Sequence, residues 1–216
     1  MALKCNIVPV TPYAQNCSII MCESSGKAAI VDPGGNIEKI IAAVDEMGAK
    51  PEQVWITHGH MDHCSAADAV RVHYGIPIEG PHIEDKFWID QLPESCAMLG
   101  IAPVEPFEPD RWLHDNDTLE LGDYVFDVKH CPGHTPGHVV FVNEAQKISF
   151  VGDVLFQGSI GRTDFPRGDH ATLINAIETK LWPLSDDITF VPGHGPTSTF
   201  GQEKRSNPYV ADPRYR

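Results

Sequence analysis

Gln53-Val54-Trp55-Ile56-Thr57-His58-Gly59-His60-Met61-Asp62-His63 is the stretch on which the reading of this 216-residue chain turns. QVWIT is a short apolar run of β-forming residues and reads as a strand; it ends directly in three histidines and an aspartate. A loop leaving a strand end can aim His58 and His60, two residues apart, at one centre. The adjacent Asp62 and His63 can reach a second centre a few ångströms away. Imidazole and carboxylate donors in this arrangement suit borderline divalent metals such as zinc. A lone histidine would be better explained as a helix cap or a solvated side chain. A cluster of this density is not.

Three later segments repeat the pattern: HCPGHTPGH (130–138), VGDVLF (151–156) and VPGHGP (191–196). Each sets a donor just after an apolar run, where strands end and loops gather, and each is tightened by Gly or Pro. The donors are His134, Asp153 and His194. Asp153 taken alone could equally cap a helix, and His194 alone would carry little weight. With the first cluster they supply the ligands that a two-metal site needs. The expected set is His58, His60, Asp62, His63, His134, Asp153 and His194.

Working outward, CNIVPV, CSIIMC and KAAIVDPGG, rich in Ile and Val and bounded by turn residues, read as strands at the start of the chain. Ile37, Ile40, Ile41 and Val44 fall at helical spacing, with Asn36 as N-cap and Gly48 as the stop. Ser65 to Tyr74 reads as helix, and KFWIDQL and ESCAMLG as short helices before a loop carrying Pro103, Pro106 and Pro109. TLELG, DYVFDVKH, HVVFVN and KISFVGD return to strand, Thr172 to Leu181 to helix, and DITFVPGHG to a last strand running into a loop. The tail after Phe200 is polar and shows no period. No repeat or linker divides the chain, so one α/β domain over residues 1–216, two packed sheets flanked by helices, is expected.

Composition narrows the function. Thirty acidic against sixteen basic residues give a net charge of -14, which argues against a nucleic-acid partner. No apolar run is long enough to span a bilayer, and the N-terminus lacks the form of a secretory signal, so no membrane partner and a cytoplasmic location are expected. Six scattered cysteines with no CxxC pair are expected to be reduced and mostly buried. Cys64 and Cys131, beside ligands in sequence, read as packing residues. Nothing in the sequence addresses oligomeric state.

The set THxHxDH, GHTPGH, GDVLF and PGHG resembles the metallo-β-lactamase superfamily. In detail it is similar to the type II glyoxalases (hydroxyacylglutathione hydrolases), especially their short bacterial relatives. The likeness runs from NCSII and VDPGG through GSIGRTDFPRGD to the NPY near the end. It implies a four-layer αβ/βα sandwich with metals at one edge. It also implies that His58, His60 and His134 hold a first metal, that Asp62, His63 and His194 hold a second, and that Asp153 bridges them. Asp32 in VDPGG would orient ligands without touching metal, or else form an Asx turn before Pro33. Asp153 rather than cysteine at the bridging position, and His60 rather than glutamate, point away from one lactamase group and from the flavin-linked diiron proteins.

Two divalent ions, zinc first with iron or manganese as alternatives, would sharpen a bridging water into a hydroxide that attacks an acyl carbon. A thioester such as S-lactoylglutathione is the expected small-molecule substrate, with Asp62 and Asp153 orienting the nucleophile. Arg162 stands where such enzymes contact glutathione, although an internal salt bridge with Asp164 or Asp169 would explain it equally well. The sequence runs only a short way past His194, so the C-terminal helical domain that carries glutathione contacts in full-length enzymes is expected to be missing. Lys204, Arg205 and Tyr209 would substitute for it or form a solvated tail. The rival reading is a mononuclear-iron persulfide dioxygenase, which would use His58, His134 and Asp153 on the same fold.

Overall fold

In the computed structural model, residues 2–98 and 102–212 are described. The first half forms a five-stranded sheet: β1 (Leu3–Val10), β2 (Gln15–Cys22), β3 (Lys27–Val31), β4 (Lys50–Trp55) and β5 (Ile78–Glu79), in that spatial order. Pairing is antiparallel between β1, β2 and β3 and parallel from β3 to β5. Its helices are α1 (Ile37–Met47), α2 (Met61–Cys64), α3 (Ala67–Tyr74), α4 (Lys86–Asp90) and α5 (Leu92–Met98).

The second half supplies β6 (Thr118–Leu121), β7 (Tyr124–His130), β8 (Val139–Asn143), β9 (Ile148–Gly152), the small ribbon β10 (Leu155–Phe156) and β11 (Ser159–Ile160), α6 (His170–Ala176), β12 (Thr189–Pro192), β13 (Ser198–Thr199) and α7 (Phe200–Ser206). The six-stranded sheet runs β13-β12-β9-β8-β7-β6, with β9 and β12 parallel and the other neighbours antiparallel.

Strand periodicity explains the layers. Successive side chains point to opposite faces of a strand, so Cys17, Ile19 and Met21 of β2 pack with Ile40 and Val44 of α1, while Ile20 and Cys22 face inward. In β8, Val140 and Val142 pack with Leu173 and Ile177, while Val139 and Phe141 face inward. The inner faces meet in one apolar slab that includes Trp55, Phe126, Phe141 and Phe150. The result is the expected four-layer αβ/βα sandwich. Between the sheets at one edge, Val139 N–H donates to the Thr57 carbonyl (2.8 Å) and Asn16 N–H to the Gly193 carbonyl (2.7 Å).

Several local expectations are corrected. Asn36 occupies the N-cap position of α1 as expected but makes no side-chain cap bond: it sits at φ 49° and its Oδ1 accepts the Thr11 N–H. Gly48 does stop the helix, in the left-handed conformation at φ 62°. The helix read from Ser65 breaks at Ala66, and a separate turn, α2, carries Asp62 and His63. The helix read over Thr172–Leu181 begins at His170, capped by Asp169, and its last turn is π-helical. Leu99 and Gly100 of ESCAMLG lie outside the described residues. All six cysteines are free; five are buried and Cys5 is exposed. No helix among the described residues is long and apolar enough to cross a membrane.

The tail is neither structureless nor wholly solvated. It forms α7, whose polar residues point inward and hide the expected apolar period. Glu203 is buried, accepting from Ser198 Oγ (2.5 Å), Gly158 N–H (2.8 Å) and Asn207 Nδ2 (2.9 Å). Lys204 is also buried; its Nζ donates to the Leu184 carbonyl (2.7 Å) and Asp186 (2.6 Å), so it is committed internally rather than to a ligand. Arg205 and Tyr209 are exposed. Glu203→Ala strips three donors of their acceptor, an expected loss of about 2–4 kcal/mol that lowers Tm by roughly 5–10 °C in thermal unfolding. An unchanged Tm would contradict this reading of α7.

Candidate metal centre

Five strand ends open on the edge where the sheets are stitched together. Asp32 follows β3, His58 follows β4, His134 lies in the loop after β7, Asp153 follows β9 and His194 follows β12. β7 and β9 both run antiparallel to β8, so their C-terminal ends share one edge. All seven expected residues meet there.

His58 Nε2 lies 3.1 Å from His60 Nδ1, and His134 Nε2 lies 3.0 Å from that same atom. The far side of each outer ring settles its proton. His134 Nδ1 is 2.8 Å from the Arg162 carbonyl, which can only accept, so the proton is on Nδ1 and Nε2 is bare. Thr57 donates its hydroxyl to Asp32 Oδ2 (2.6 Å), leaving its oxygen to accept from His58 Nδ1 (3.0 Å). His58 Nε2 is therefore bare as well.

A second group repeats this logic. His63 Nδ1 donates to Asp32 Oδ2 (2.9 Å) and His194 Nδ1 to the Tyr13 carbonyl (3.2 Å). Their Nε2 atoms face carboxylates: His194 lies 3.1 Å and His63 3.9 Å from Asp62 Oδ2. Asp153 spans both groups, with Oδ1 3.4 Å from His63 Nε2, and Oδ2 3.6 Å from His134 Nε2 and 3.8 Å from His194 Nε2. Within His58–His60–His134, and again within Asp62–His63–His194, the donor atoms all lie within 4.8 Å of one another.

These donors fit divalent cations. The bare Nε2 atoms of His58 and His134 converge beside His60 Nδ1, and the Nε2 atoms of His63 and His194 face carboxylates, an arrangement suited to shared positive centres. His63 Nε2 and Asp153 Oδ1, both facing the space between the two groups, are among the buried atoms without a hydrogen-bond partner, and leaving such atoms unmet costs about 1–3 kcal/mol each. Burial and mutual imidazole repulsion hold His58 and His60 well below the ordinary histidine range, and burial lowers His134, so all three stay neutral and able to donate lone pairs. Burial alone would raise Asp62, but His63, His194 and His60 hold it well below the usual carboxylate range.

Asp32 is buried and reaches across the fold rather than forming an Asx turn. Its Oδ1 accepts Thr57 N–H (2.7 Å), and its Oδ2 takes both Thr57 Oγ and His63 Nδ1. Arg162 is exposed, pairs with Asp164 through both Nε and Nη2 (2.7 Å each) and stacks on Phe165 (4.3 Å). Asp169, the other partner considered for it, caps α6 instead. The Arg162 carbonyl, which sequence reasoning did not consider, orients His134. Phe165 and Trp88 flank His60, each with ring centroids 4.6 Å away. Cys64 and Cys131 are buried; burial raises both thiols, Cys131 to about 12, in keeping with packing.

Two residues of this neighbourhood escaped the sequence. His138 stacks on His58 (4.6 Å, 17°) and its Nε2 accepts the Asp153 N–H (3.0 Å), so it places the backbone of Asp153. Its presence in GHTPGH was the available signal. Asp85 holds two ligand loops, and nothing in HIEDKFW marked it. Gly193 shows how tight the centre is: a Cβ there would lie 2.1 Å from Asp153 Oδ1.

Two groups of three donors with an aspartate between them, at the edge of an αβ/βα sandwich, form an arrangement that could hold metal ions. The metallo-beta-lactamase superfamily model matches residues 10–194, and the chain belongs to that superfamily. Hydroxyacylglutathione hydrolase GloC of Haemophilus influenzae is 47% identical over 209 residues, covering 96% of this chain and 98% of that protein. Among solved structures, BLEG-1 B3 metallo-beta-lactamase aligns with TM-score 0.88 and 36% identity over 96% of this chain and 99% of that one. TTHA1623 in a di-iron-bound form aligns with TM-score 0.86 and 31% identity over 95% and 100%.

A pH test follows from His63. Burial would lower it, but in the metal-free protein Asp153, Asp62 and Asp32 raise it from 6.5 to about 9. A raised folded-state pKa contributes stability that is complete below about 6.5 and lost as pH rises to about 9, on the order of 3 kcal/mol. Chelator-stripped protein should lose roughly 6–12 °C of Tm across that window. Metal-loaded protein should not, because a cation on Nε2 excludes the proton. Parallel curves for the two forms would contradict the assignment.

Proposed function

We propose that the chain hydrolyses a hydroxyacyl thioester of the S-lactoylglutathione kind using two divalent ions. The observation that carries this reading is the pair of inward-facing donor triads with Asp153 between them. His58, His60 and His134 would hold one ion, Asp62, His63 and His194 the other, and Asp153 would contact both. When bound, such a pair supplies Lewis acidity to an acyl carbonyl and draws the pKa of water toward neutrality. Zinc, iron and manganese all suit the donor set, and the di-iron form of TTHA1623 supports iron as readily as the ligand chemistry supports zinc.

The chain's own side chains do the rest. Asp62, held well below the usual carboxylate range, remains an acceptor able to orient an attacking water. Asp153 combines that task with spanning the two triads. Phe165 and Trp88 beside His60 shield one flank from solvent and offer an apolar wall to the acyl group. Arg162, resting on Phe165, is placed to meet a substrate carboxylate if it exchanges its contact with Asp164. A thiolate leaving group departs without first being protonated, so no general acid is required of the site. The likeness to GloC supports a glutathione-derived substrate.

Zinc- or iron-loaded protein is expected to release thiol from S-lactoylglutathione. Asp153→Asn and His60→Ala should each lower kcat by about 10²–10³-fold, while Arg162→Ala should act mainly on KM. The same preparation assayed for oxygen uptake with glutathione persulfide and for turnover of a chromogenic β-lactam separates the rivals. Thiol release without the other two activities supports the proposal. Oxygen consumption with one iron per chain would replace it with the dioxygenase reading.

A further inference from the structure

The triad His58–His60–His134 is built from two loops distant in sequence, and both close on one carboxylate. Asp85, fully buried at the start of α4, accepts Gly59 N–H (2.9 Å) and Thr135 Oγ–H (2.7 Å) on Oδ2, and Gly137 N–H (2.5 Å) on Oδ1. Gly59 lies between His58 and His60, and Thr135 follows His134. The three partners are neutral donors. A buried carboxylate is costly, and an apolar side chain would pack there without that cost. What it alone supplies is three acceptor contacts from two oxygens, with no proton of its own to conflict with those it receives.

The backbone has closed tightly around this contact. A Cβ on Gly137 would lie 2.5 Å from Asp85 N and 2.7 Å from its Cγ, and one on Gly59 would lie 2.8 Å from Trp88 Cβ and 3.0 Å from the Asp85 carbonyl. The neighbouring His82 N–H also donates to the Gly137 carbonyl (3.1 Å). The second triad has a different anchor, Asp32, which bonds His63 directly and reaches His58 of the first triad only through the Thr57 hydroxyl.

We infer that Asp85 is a positioning residue that fixes the spacing of His60 and His134 by tying their two loops together, and so sets the affinity of the first cation position while leaving the second to Asp32. This rests on the two-ion reading above. The Asp85 carboxylate hydrogen-bonds backbone N–H groups and Thr135 rather than a ligand side chain, and acts through them.

Asp85→Asn tests it. The carboxamide must turn its NH2 toward Gly59 N–H or Gly137 N–H, and neither can accept. Zinc titration by calorimetry is expected to show one equivalent weakened about 10–100-fold, the range for disturbed outer contacts, with the other unchanged. Nitrogen NMR of the histidine rings identifies the weakened position by delayed shifts at His60 and His134, while His63 and His194 respond as in the wild type. Thr135→Val removes one contact and keeps the carboxylate, giving a milder loss in the same direction should the Asn variant fail to fold. Equal weakening of both equivalents would make Asp85 a general staple and overturn the inference, as would unchanged affinity in both variants. Wild-type protein that binds no zinc would instead remove the two-ion reading and this inference with it.

Discussion

The outward hydrogen bonds of the histidines govern the rest of the site. Thr57 Oγ, the Arg162 carbonyl, Asp32 and the Tyr13 carbonyl each take the Nδ1 proton of one ring, on His58, His134, His63 and His194. Four Nε2 lone pairs are thereby turned toward a common interior that already contains Asp62 and Asp153. Without cations the carboxylates draw a proton onto His63, while His58 and His134 keep bare Nε2 atoms turned inward. With them the interior is a ligand cage whose ring orientations were set before any ion arrives, so little ordering entropy is spent on binding.

The sandwich makes that cage possible because parallel and like-directed strands deliver their ends to one edge. Thr57 sits at the junction: its carbonyl takes Val139 N–H from the other sheet, its amide and hydroxyl go to Asp32, and its oxygen receives His58. One residue thus links sheet pairing, the buried aspartate and the first ligand. His138 does comparable work from the second sheet by stacking on His58 and holding the Asp153 amide.

Much of this was readable from the residues. Donor clusters at strand ends carry their own spacing, and alternation along CSIIMC and HVVFVN separates the faces that meet helices from those that meet the other sheet. What could not be read depends on partners far away in sequence. Asp85 bonds Thr135 and Gly137 from 50 and 52 positions away, and no local pattern distinguishes it from a solvated acid before a helix. The last helix was hidden because Glu203 and Lys204 are polar residues used inward, which inverts the apolar periodicity. Asn36 has the identity of a cap, but its left-handed backbone sends the side chain to Thr11 instead.

The chain's acidic charge fits this arrangement: a strongly negative protein favours cation uptake, and the exposed Arg162 and Arg167 on the loop after β11 are each paired with a carboxylate, Asp164 and Glu84. The central claim is that two positive centres sit between these donors. Anomalous scattering from a crystal grown with zinc tests it most directly. Two peaks are predicted, one against His58, His60 and His134 and one against Asp62, His63 and His194, each also next to Asp153. An edge with no peak, or with metal bound only elsewhere on the surface, would contradict the account.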